Sequence, residues 1–431
     1  MAVQILEGDV FDRLSDLPDE HVHCAVFSPP YWGLRDYGID GQIGLEPTLG
    51  EHIETMVRVF REIRRVLRKD GTVWLNYGDA YAGSGKGVPN NEFEGGRNRS
   101  DSQVVGRTPA GTLKPKDLMM MPARVALALQ ADGWWLRSEI VWHKPNPMPE
   151  NVTDRPTCAH EKVFLLAKSG RYFYDAQAVR TPMAASSVQR LSQPTFDQQT
   201  GGPKDPKSGN RSHRKVLENP KARRVPAGWA SSPDYDNQDP RYPKRDKQWG
   251  HSRRHAGFND RWDAMSREEQ QANGANLRNV WTIPIAPFSG GHFATFPTAL
   301  VEPCIKAGTS EKGCCPECGA PWVRVSETDH INPGNRSTNG PRSRERRHET
   351  AGFAQRLERS TSTVGWVPSC DCGAADPVPC TVLDPFAGAG AVGLVAARLG
   401  RDAILIELNP EYADMARERI NGDAPLLTEV A

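Results

Sequence analysis

Short apolar runs alternate along the chain with segments whose apolar residues recur at helical spacing. Val3 to Leu6, His21 to Phe27 and Thr72 to Tyr77 predict β-strands, and Leu49 to Leu67 predicts a helix before the third of them. Strands that alternate with helices in this way are typical of an α/β sheet with crossover helices. The remaining predicted core elements are helices at Pro115 to Ala131 and Phe296 to Ala307, and strands at Leu136 to Trp142, Lys162 to Ala167, Val280 to Ile285 and Asp402 to Ile406.

Two segments interrupt this alternation and divide the chain. From about Ala176 to Asn276 the periodicity gives way to Pro, Gly, Arg, Ser and Gln, a composition too polar for the interior of a sheet. From Gly313 to Cys380 a second insert carries closely spaced cysteines. We therefore predict a core made of residues 1–175, 277–312 and 381–431, a basic and partly disordered insert at 176–276, and a Cys-rich insert at 313–380.

Composition and charge set few limits on function. Lys and Arg number 54 against 53 acidic residues, so the net charge neither indicates nor excludes a polyanionic partner, and only its distribution can. The sequence contains no run of about 18 apolar residues, and the N-terminus lacks the basic region and apolar run of a signal peptide. We therefore expect a soluble, cytoplasmic protein without a membrane partner. The oligomeric state stays open, with a homodimer as one alternative.

A strand near the C-terminus turns through glycines into a helix. Its turn, Asp384-Pro385-Phe386-Ala387-Gly388-Ala389-Gly390, lets a ligand approach the backbone closely, and Glu407 ends the next strand near the spacing of a ribose-binding acid. A dehydrogenase has the same glycine pattern, but Asp384 would repel a pyrophosphate. A carboxylate here suits a phosphate-free cation, and S-adenosylmethionine (SAM) carries an ammonium and a sulfonium. The alternatives are a dehydrogenase and a glycine turn that serves packing alone.

The strand that ends at Phe27 runs into Ser28-Pro29-Pro30-Tyr31. An exocyclic amine of cytosine or adenine is a weak nucleophile, because its lone pair is delocalised into the ring. The Ser28 side chain and the Pro29 carbonyl could accept hydrogen bonds from its two hydrogens and oppose that delocalisation. Tyr31 offers a flat face for an extruded base. For these four residues alone, a Pro-Pro loop without any chemistry is the alternative.

The two motifs together, in this order along the chain, resemble the β group of amino DNA methyltransferases. The resemblance extends to Gly8-Asp9 and to His292 to Pro297, and it covers residues 1–170 and 277–421. It implies a Rossmann-like α/β methyltransferase fold with SAM as cofactor and a sheet of seven mostly parallel strands in circularly permuted order. Residues 1–175 would form the catalytic half, 277–312 with 381–431 the SAM-binding half, and 176–276 the target-recognition insert. It further implies double-stranded DNA as the partner and a role in bacterial or phage DNA methylation, including restriction-modification.

The resemblance also implies roles for individual residues. Asp384 would face the SAM ammonium, Glu407 the ribose hydroxyls, and Asp9 the adenine edge or its surroundings. The catalytic motif would be Ser28, Pro29, Pro30 and Tyr31. The further cofactor-binding residues implied are Phe296, Pro385, Phe386, Gly388 and Gly390.

The identity of the methylated base has more than one interpretation. Serine at the head of the motif occurs more with cytosine-N4 enzymes of this family, which favours cytosine over the alternative, adenine-N6. Attack at cytosine C5 needs a Cys thiolate in a Pro-Cys loop after the SAM loop, whereas Pro303-Cys304 and Pro379-Cys380 both precede it. More distant alternatives are methylation of RNA or of a protein glutamine, and a SAM-dependent DNA-binding regulator without turnover.

Two short cysteine turns, each followed by glycine, lie at the ends of the Cys-rich insert. Such turns place two thiolates on one metal ion, so Cys315, Cys318, Cys370 and Cys372 predict a structural zinc site. Four thiolates leave no open position, so this zinc would hold the insert together and would not catalyse. Reduced free thiols are the alternative, and Cys314 and Cys380 are further candidate ligands.

The 176–276 insert combines basic and aromatic residues. Between Gly201 and Arg261 there are 15 Lys and Arg against 7 Asp and Glu, with Trp, Tyr and Phe interleaved. This composition fits contacts to phosphates and bases, and a solvated linker is the alternative. We expect the insert to contact DNA and to become ordered only on the duplex.

Overall fold

A computed structural model of the chain describes residues 1–34, 37–82, 113–182, 275–285, 297–331, 358–374, 376–423 and 429–430. The chain divides into two compact units, one of residues 1–181, 276–326 and 363–431, and the other of residues 182–275 and 327–362. Of the second unit the description covers residues 182 and 275 and the strand segments 327–331 and 358–362. The basic insert between 183 and 274, predicted to contact DNA, therefore lies outside the described residues.

The first unit is built on a mixed sheet flanked by helices. The sheet strands are β1 (Ala2–Glu7), β2 (Val22–Phe27), β3 (Leu67–Tyr77), β4 (Trp135–His143), β5 (His160–Ala167), β6 (Val280–Thr282), β9 (Thr381–Asp384), β10 (Asp402–Glu407) and β11 (Glu429–Val430), and a separate two-stranded sheet comprises β7 (Trp322–Ile331) and β8 (Glu358–Pro368). The helices are α1 (Val10–Ser15), α2 (Leu49–Val66), α3 (Met121–Ala131), α4 (Thr298–Gly308), α5 (Ala391–Arg398) and α6 (Pro410–Asp423).

The strand order places the two ends of the chain side by side. The order is β11-β1-β10-β9-β2-β3-β5-β4-β6, so the C-terminal strands β9 and β10 lie between β1 and β2. Neighbouring strands run parallel except where β5 pairs with β3 and β4. The predicted mostly parallel α/β sheet is confirmed, but nine strands are described where seven were predicted. The two shortest strands, β6 and β11, extend the sheet at its two edges.

The core has two apolar layers, one on each face of the sheet. All six positions of β2 are buried, as expected for a strand covered on both faces. Its residues alternate between the layers: Phe27 packs with α1, α2 and α3, and Val26 packs with α4, α5 and α6. Within the described ranges, no helix is long and apolar enough to cross a membrane.

Local chemistry sets the helix boundaries near the core. Thr48 and Glu51 form a reciprocal capping box at the start of α2. Helix α3 begins at Met121, six residues later than predicted, because Met120 adopts a left-handed conformation (φ 54°) and Leu118 pairs with Tyr81 in an isolated β-bridge. The short helix α1, which the periodicity did not predict, is capped by Asp9, whose carboxylate accepts a hydrogen bond from the Phe11 amide.

Candidate active site

A cavity of about 480 Å³ opens at the carboxyl ends of the parallel strands, where open α/β sheets bind their ligands. Loops after β1, β2, β3, β9 and β10 contribute to its wall. It brings together nine residues singled out from the sequence: Asp9, Ser28, Pro29, Pro30, Tyr31, Pro385, Phe386, Gly388 and Glu407. Asp384 and Gly390 are not among the lining residues, and Phe296 lies outside the described residues.

The segment after β2 presents oxygen atoms to the cavity. The Ser28 hydroxyl donates a hydrogen bond to the Tyr31 hydroxyl at 3.1 Å, which leaves the lone pairs of the serine oxygen able to accept. Within the described ranges no group donates to the Pro29 carbonyl. The two acceptors expected from the sequence therefore line one cavity with the glycine turn after β9.

The Tyr31 ring packs tightly against the end of β3. It stacks on Tyr77 with ring centroids 4.9 Å apart and an interplanar angle of 23°. A Cβ atom on Gly78 would come within 2.5 Å of the Tyr31 ring, so only glycine allows this packing without displacement. Contacts within the protein therefore fix the position of the Tyr31 ring, whose face is proposed to stack on a base.

A polar network fixes the Tyr31 hydroxyl. It donates to the Glu161 carboxylate at 3.0 Å, and the Asn76 amide nitrogen donates to the same carboxylate oxygen at 3.1 Å. The other oxygen of Glu161 forms an ion pair with Lys144, whose ammonium lies 4.3 Å above the Trp142 ring. Burial, and then the nearby Glu161 charge, raise the pKa of Tyr31 well above its ordinary value, so the hydroxyl remains a donor.

The sequence pattern did not reveal two members of this network. Asn76 and Glu161 lie on β3 and β5 and make their contacts across strands, which no local periodicity reports. Trp142 and Lys144, at the end of β4, also line the cavity. His143 between them is exposed and bonds to Thr282 instead.

Asp384 is a buried carboxylate behind the cavity wall. It is 1% exposed, and its carboxylate accepts a hydrogen bond from the Phe386 amide at 3.0 Å. Burial raises the pKa of this carboxyl to about 8, and the charge of Glu407 adds to the effect. Within the described part of the chain no Lys or Arg acts on the Asp384 carboxyl. Ionising a buried carboxyl without a partner is costly, and a cationic ligand nearby would offset that cost.

Glu407 and Asp9 stand at neighbouring strand ends. The two oxygens of Glu407 each accept one backbone hydrogen bond, from Gly388 at 2.7 Å and from Asn409 at 2.9 Å. A carboxylate has about four acceptor positions, so two stay available for hydroxyl groups. Burial raises the pKa of Glu407. Asp9 uses one oxygen to cap α1 and also lines the cavity.

The two glycines of the turn have different surroundings. Gly388 lines the cavity and has a φ of +51°. Gly390 has a φ of +71°, and a Cβ there would lie 2.8 Å from the Cβ of Ala416 on α6. Gly390 therefore permits the packing of α5 against α6, and its expected part in cofactor binding stays a prediction.

Two other side chains, both on α4, lie away from this chemistry. Glu302 is paired with Lys306 on the exposed face of α4. Cys304 is buried, and burial raises its thiol pKa well above the ordinary value. A buried thiol of this kind is a poor nucleophile, which agrees with the rejection of C5 chemistry.

Known proteins resemble the chain over nearly its whole length. The DNA methylase family N6_N4_Mtase matches residues 22–315 and 380–418. The Type II methyltransferase M.Cfr9I of Citrobacter freundii is 32% identical over 428 residues, which are 99% of this chain and 90% of that protein. M.XycI of Xanthomonas campestris pv. cyanopsidis is 32% identical over 427 residues, with the same coverage. Among solved structures, the PvuII DNA methyltransferase (cytosine-N4-specific) aligns with a TM-score of 0.47 at 13% identity, over 99% of this chain and 96% of that one.

Proposed function

The chain belongs to the N6_N4_Mtase family of DNA methylases, and from this premise we propose that it transfers a methyl group from SAM to N4 of a cytosine flipped out of double-stranded DNA. It is a DNA amino-methyltransferase of the β group. The observation that carries the proposal is the shared cavity: Ser28 and Pro29, with their oxygen acceptors, line the same space as the turn from Pro385 to Gly388 and the acid Glu407.

The cofactor half of the cavity suits a cation with hydroxyl groups. Asp384 would attract the ammonium from behind the cavity wall, because it directly precedes the cavity-lining Pro385 and Phe386 and has no cationic partner within the described residues. Glu407 has acceptor positions left for ribose hydroxyls, and Gly388 lets a ligand come close to the backbone. Phe386, packed on Phe27 with centroids 5.9 Å apart, would line the same pocket. SAM supplies an electrophilic methyl group on its sulfonium.

The base half would activate the amine by hydrogen bonding. Ser28 and the Pro29 carbonyl would each accept from one amine hydrogen, which localises the lone pair on nitrogen. Tyr31 would hold the base by stacking, and the duplex must first release that base, because its amino group is paired. The new bond joins nitrogen to the methyl carbon, the bond from sulfur to that carbon breaks, and the spare proton leaves to solvent. The reaction needs no covalent bond between enzyme and base.

Cytosine is proposed on two grounds. Serine heads the motif, which occurs more with cytosine-N4 enzymes of the family, and Lys144 lines the same cavity. On its Watson–Crick edge cytosine presents two acceptors, N3 and O2, whereas adenine presents only N1, so an added donor facing that edge suits cytosine better. Adenine-N6 is the alternative within the same chemistry. The basic insert at 176–276 would contact the duplex.

The test is to incubate the purified chain with SAM and duplex DNA of mixed sequence, digest the DNA to nucleosides, and identify the products by mass spectrometry. N4-methylcytosine supports the proposal, and N6-methyladenine would correct the base. SAM that binds but is not consumed on DNA would indicate a regulator without turnover, and RNA serves as the control substrate.

A further inference from the structure

Four cysteine sulfurs meet at one point outside the active site. The Sγ atoms of Cys315, Cys318, Cys370 and Cys372 all lie within 4.8 Å of one another. Sulfurs held 2.3 Å from a tetrahedral zinc ion are about 3.8 Å apart, so small side-chain rotations would complete the site. We propose that these four thiolates bind one structural zinc ion.

The backbone of both cysteine turns suits metal binding. The Gly319 amide donates to the Cys315 carbonyl at 2.8 Å, and the Cys315 amide donates to the Ala320 carbonyl at the same distance, so the first turn is closed by two hydrogen bonds. Gly319 and Gly373, which follow the two turns, have φ values of +67° and +76°. Glycine adopts this left-handed conformation at little cost, and the chain can turn back directly after the second sulfur of each pair.

The four sulfurs bracket the two-stranded sheet of the Cys-rich insert. Cys315 and Cys318 precede β7, which begins at Trp322, and Cys370 and Cys372 follow β8, which ends at Pro368. One ion would therefore link the two ends of the long segment between Cys318 and Cys370. Closing a long loop in this way lowers the entropy of the unfolded chain. The zinc would be structural, because four thiolates fill its coordination sphere and none of the four lines the cavity.

The first turn is also docked on the core strands. The Cys318 carbonyl accepts from the Arg68 guanidinium at 2.5 Å, and the Gly319 carbonyl lies 2.9 Å from Nε2 of His23. Because Nδ1 of His23 accepts from the Thr381 amide at 3.0 Å, Nε2 carries the proton and donates to Gly319. These contacts reach three core strands, through His23 on β2, Arg68 on β3 and Thr381 on β9. The turn from Cys315 to Gly319 would therefore stabilise the strands that lead to the active site.

A second group of potential ligands is expected to bind no metal. His23, Cys314 and Cys380 also lie within 4.8 Å of one another and are buried. Both ring nitrogens of His23 are already engaged with backbone partners, and two thiols alone do not complete a zinc site. The proposal therefore predicts a stoichiometry of one zinc ion per chain.

The test measures the zinc content of the full-length chain, expressed with added zinc and purified without chelator, by elemental mass spectrometry. We expect one ion per chain in the wild type, loss of most of it in Cys318→Ser and Cys370→Ser, and full retention in Cys314→Ser and in Cys158→Ser, an exposed cysteine outside both groups. Methylation plays no part in this readout, so it is independent of the proposed function.

A second measurement covers the case in which the cysteine variants do not fold. Cobalt added to the metal-free wild type should give the charge-transfer and d–d absorption of a tetrahedral thiolate site, and zinc should displace it. A wild-type chain that carries no zinc and gives no cobalt spectrum would overturn the proposal. Unchanged zinc content in both cluster variants, or disulfide bonds among the four cysteines in the purified chain, would overturn it as well.

Discussion

The Tyr31 hydroxyl donates a hydrogen bond to Glu161 across 3.0 Å, which ties the motif after β2 to the start of β5. The same carboxylate is held by Asn76 and Lys144. The orientation of the motif aromatic therefore depends on a residue that the sequence motif does not include. We therefore expect Glu161 to act on the reaction through Tyr31, as a positioning residue.

Replacing Glu161 by Gln should slow the reaction without abolishing SAM binding. Glutamine keeps an acceptor for Tyr31 but loses the ion pair with the half-buried Lys144. Because that ion pair holds the side chain at position 161, the tyrosine bound to it loses its fixed position. We expect kcat to fall by on the order of 10²-fold, with the dissociation constant of SAM unchanged. Tyr31→Phe, which keeps the ring, supplies the partner for a double-mutant cycle. If Glu161 works through the hydroxyl, the two effects are not additive, and full additivity would contradict this role.

Ser28→Ala tests the acceptor expected to polarise the amine. The substitution removes one hydrogen-bond acceptor for the amine and leaves Pro29 in place, so the loss should appear in the chemical step. We expect kcat to fall by about 10²-fold while KM for DNA changes little. Single-turnover kinetics with preformed enzyme and DNA measure this step. A change in KM alone would show that Ser28 serves binding only.

Asp384→Asn should stabilise the folded chain at neutral pH. The carboxyl titrates near 3.8 when unfolded and at about 8 when folded, so between these values the folded state binds more protons. Wild-type stability therefore falls as pH rises through this window. Asparagine keeps the acceptor for Phe386 and removes the titration. Thermal unfolding should give the variant a Tm above wild type at pH 8, with a difference that shrinks toward pH 4; a constant difference would contradict the burial argument.

The same substitution should weaken SAM binding. A cationic ligand binds the ionised carboxylate, and the ionised fraction rises as the pH approaches 8. The ratio of the SAM affinity of the wild type to that of Asp384→Asn should therefore increase toward that pH. Titration calorimetry of both proteins across this pH range measures the ratio. The SAM amine also titrates in this range, but it does so equally with both proteins, so its effect cancels in the ratio. Equal affinities at all pH values would exclude Asp384 as the ammonium site.

Gly390→Ala separates packing from ligand approach. The new Cβ would meet Ala416, and the left-handed backbone adds strain, so we expect a loss of about 2 kcal/mol in the free energy of unfolding. SAM affinity of the folded variant should stay unchanged. Gly422→Ala on α6, where the added Cβ meets nothing within 4 Å, is the matched control and should change stability by less than about 1 kcal/mol. A selective loss of SAM binding in Gly390→Ala would show that this glycine serves ligand binding.

Local patterns predicted the elements that carry the site, and long-range contacts set the rest. The run from His21 to Phe27 placed Ser28 at a strand end, and parallel pairing then brought it to the same edge as Glu407. The Glu161 contact spans 130 positions, and the clash at Gly390 arises from a neighbouring helix, so neither has a local signal. The expected role of Asp384 beside the SAM ammonium stays a prediction, and its burial away from the cavity lining depends on packing that the sequence of the turn does not reveal.

The most direct test of the central claim uses SAM carrying a deuterated methyl group in a single turnover on duplex DNA, with wild type and Ser28→Ala in parallel. The account predicts that the wild type places the whole deuterated methyl on N4 of cytosine, and that the variant does so about 10²-fold more slowly. Label found on C5 of cytosine, or on no base while SAM remains bound, would contradict it.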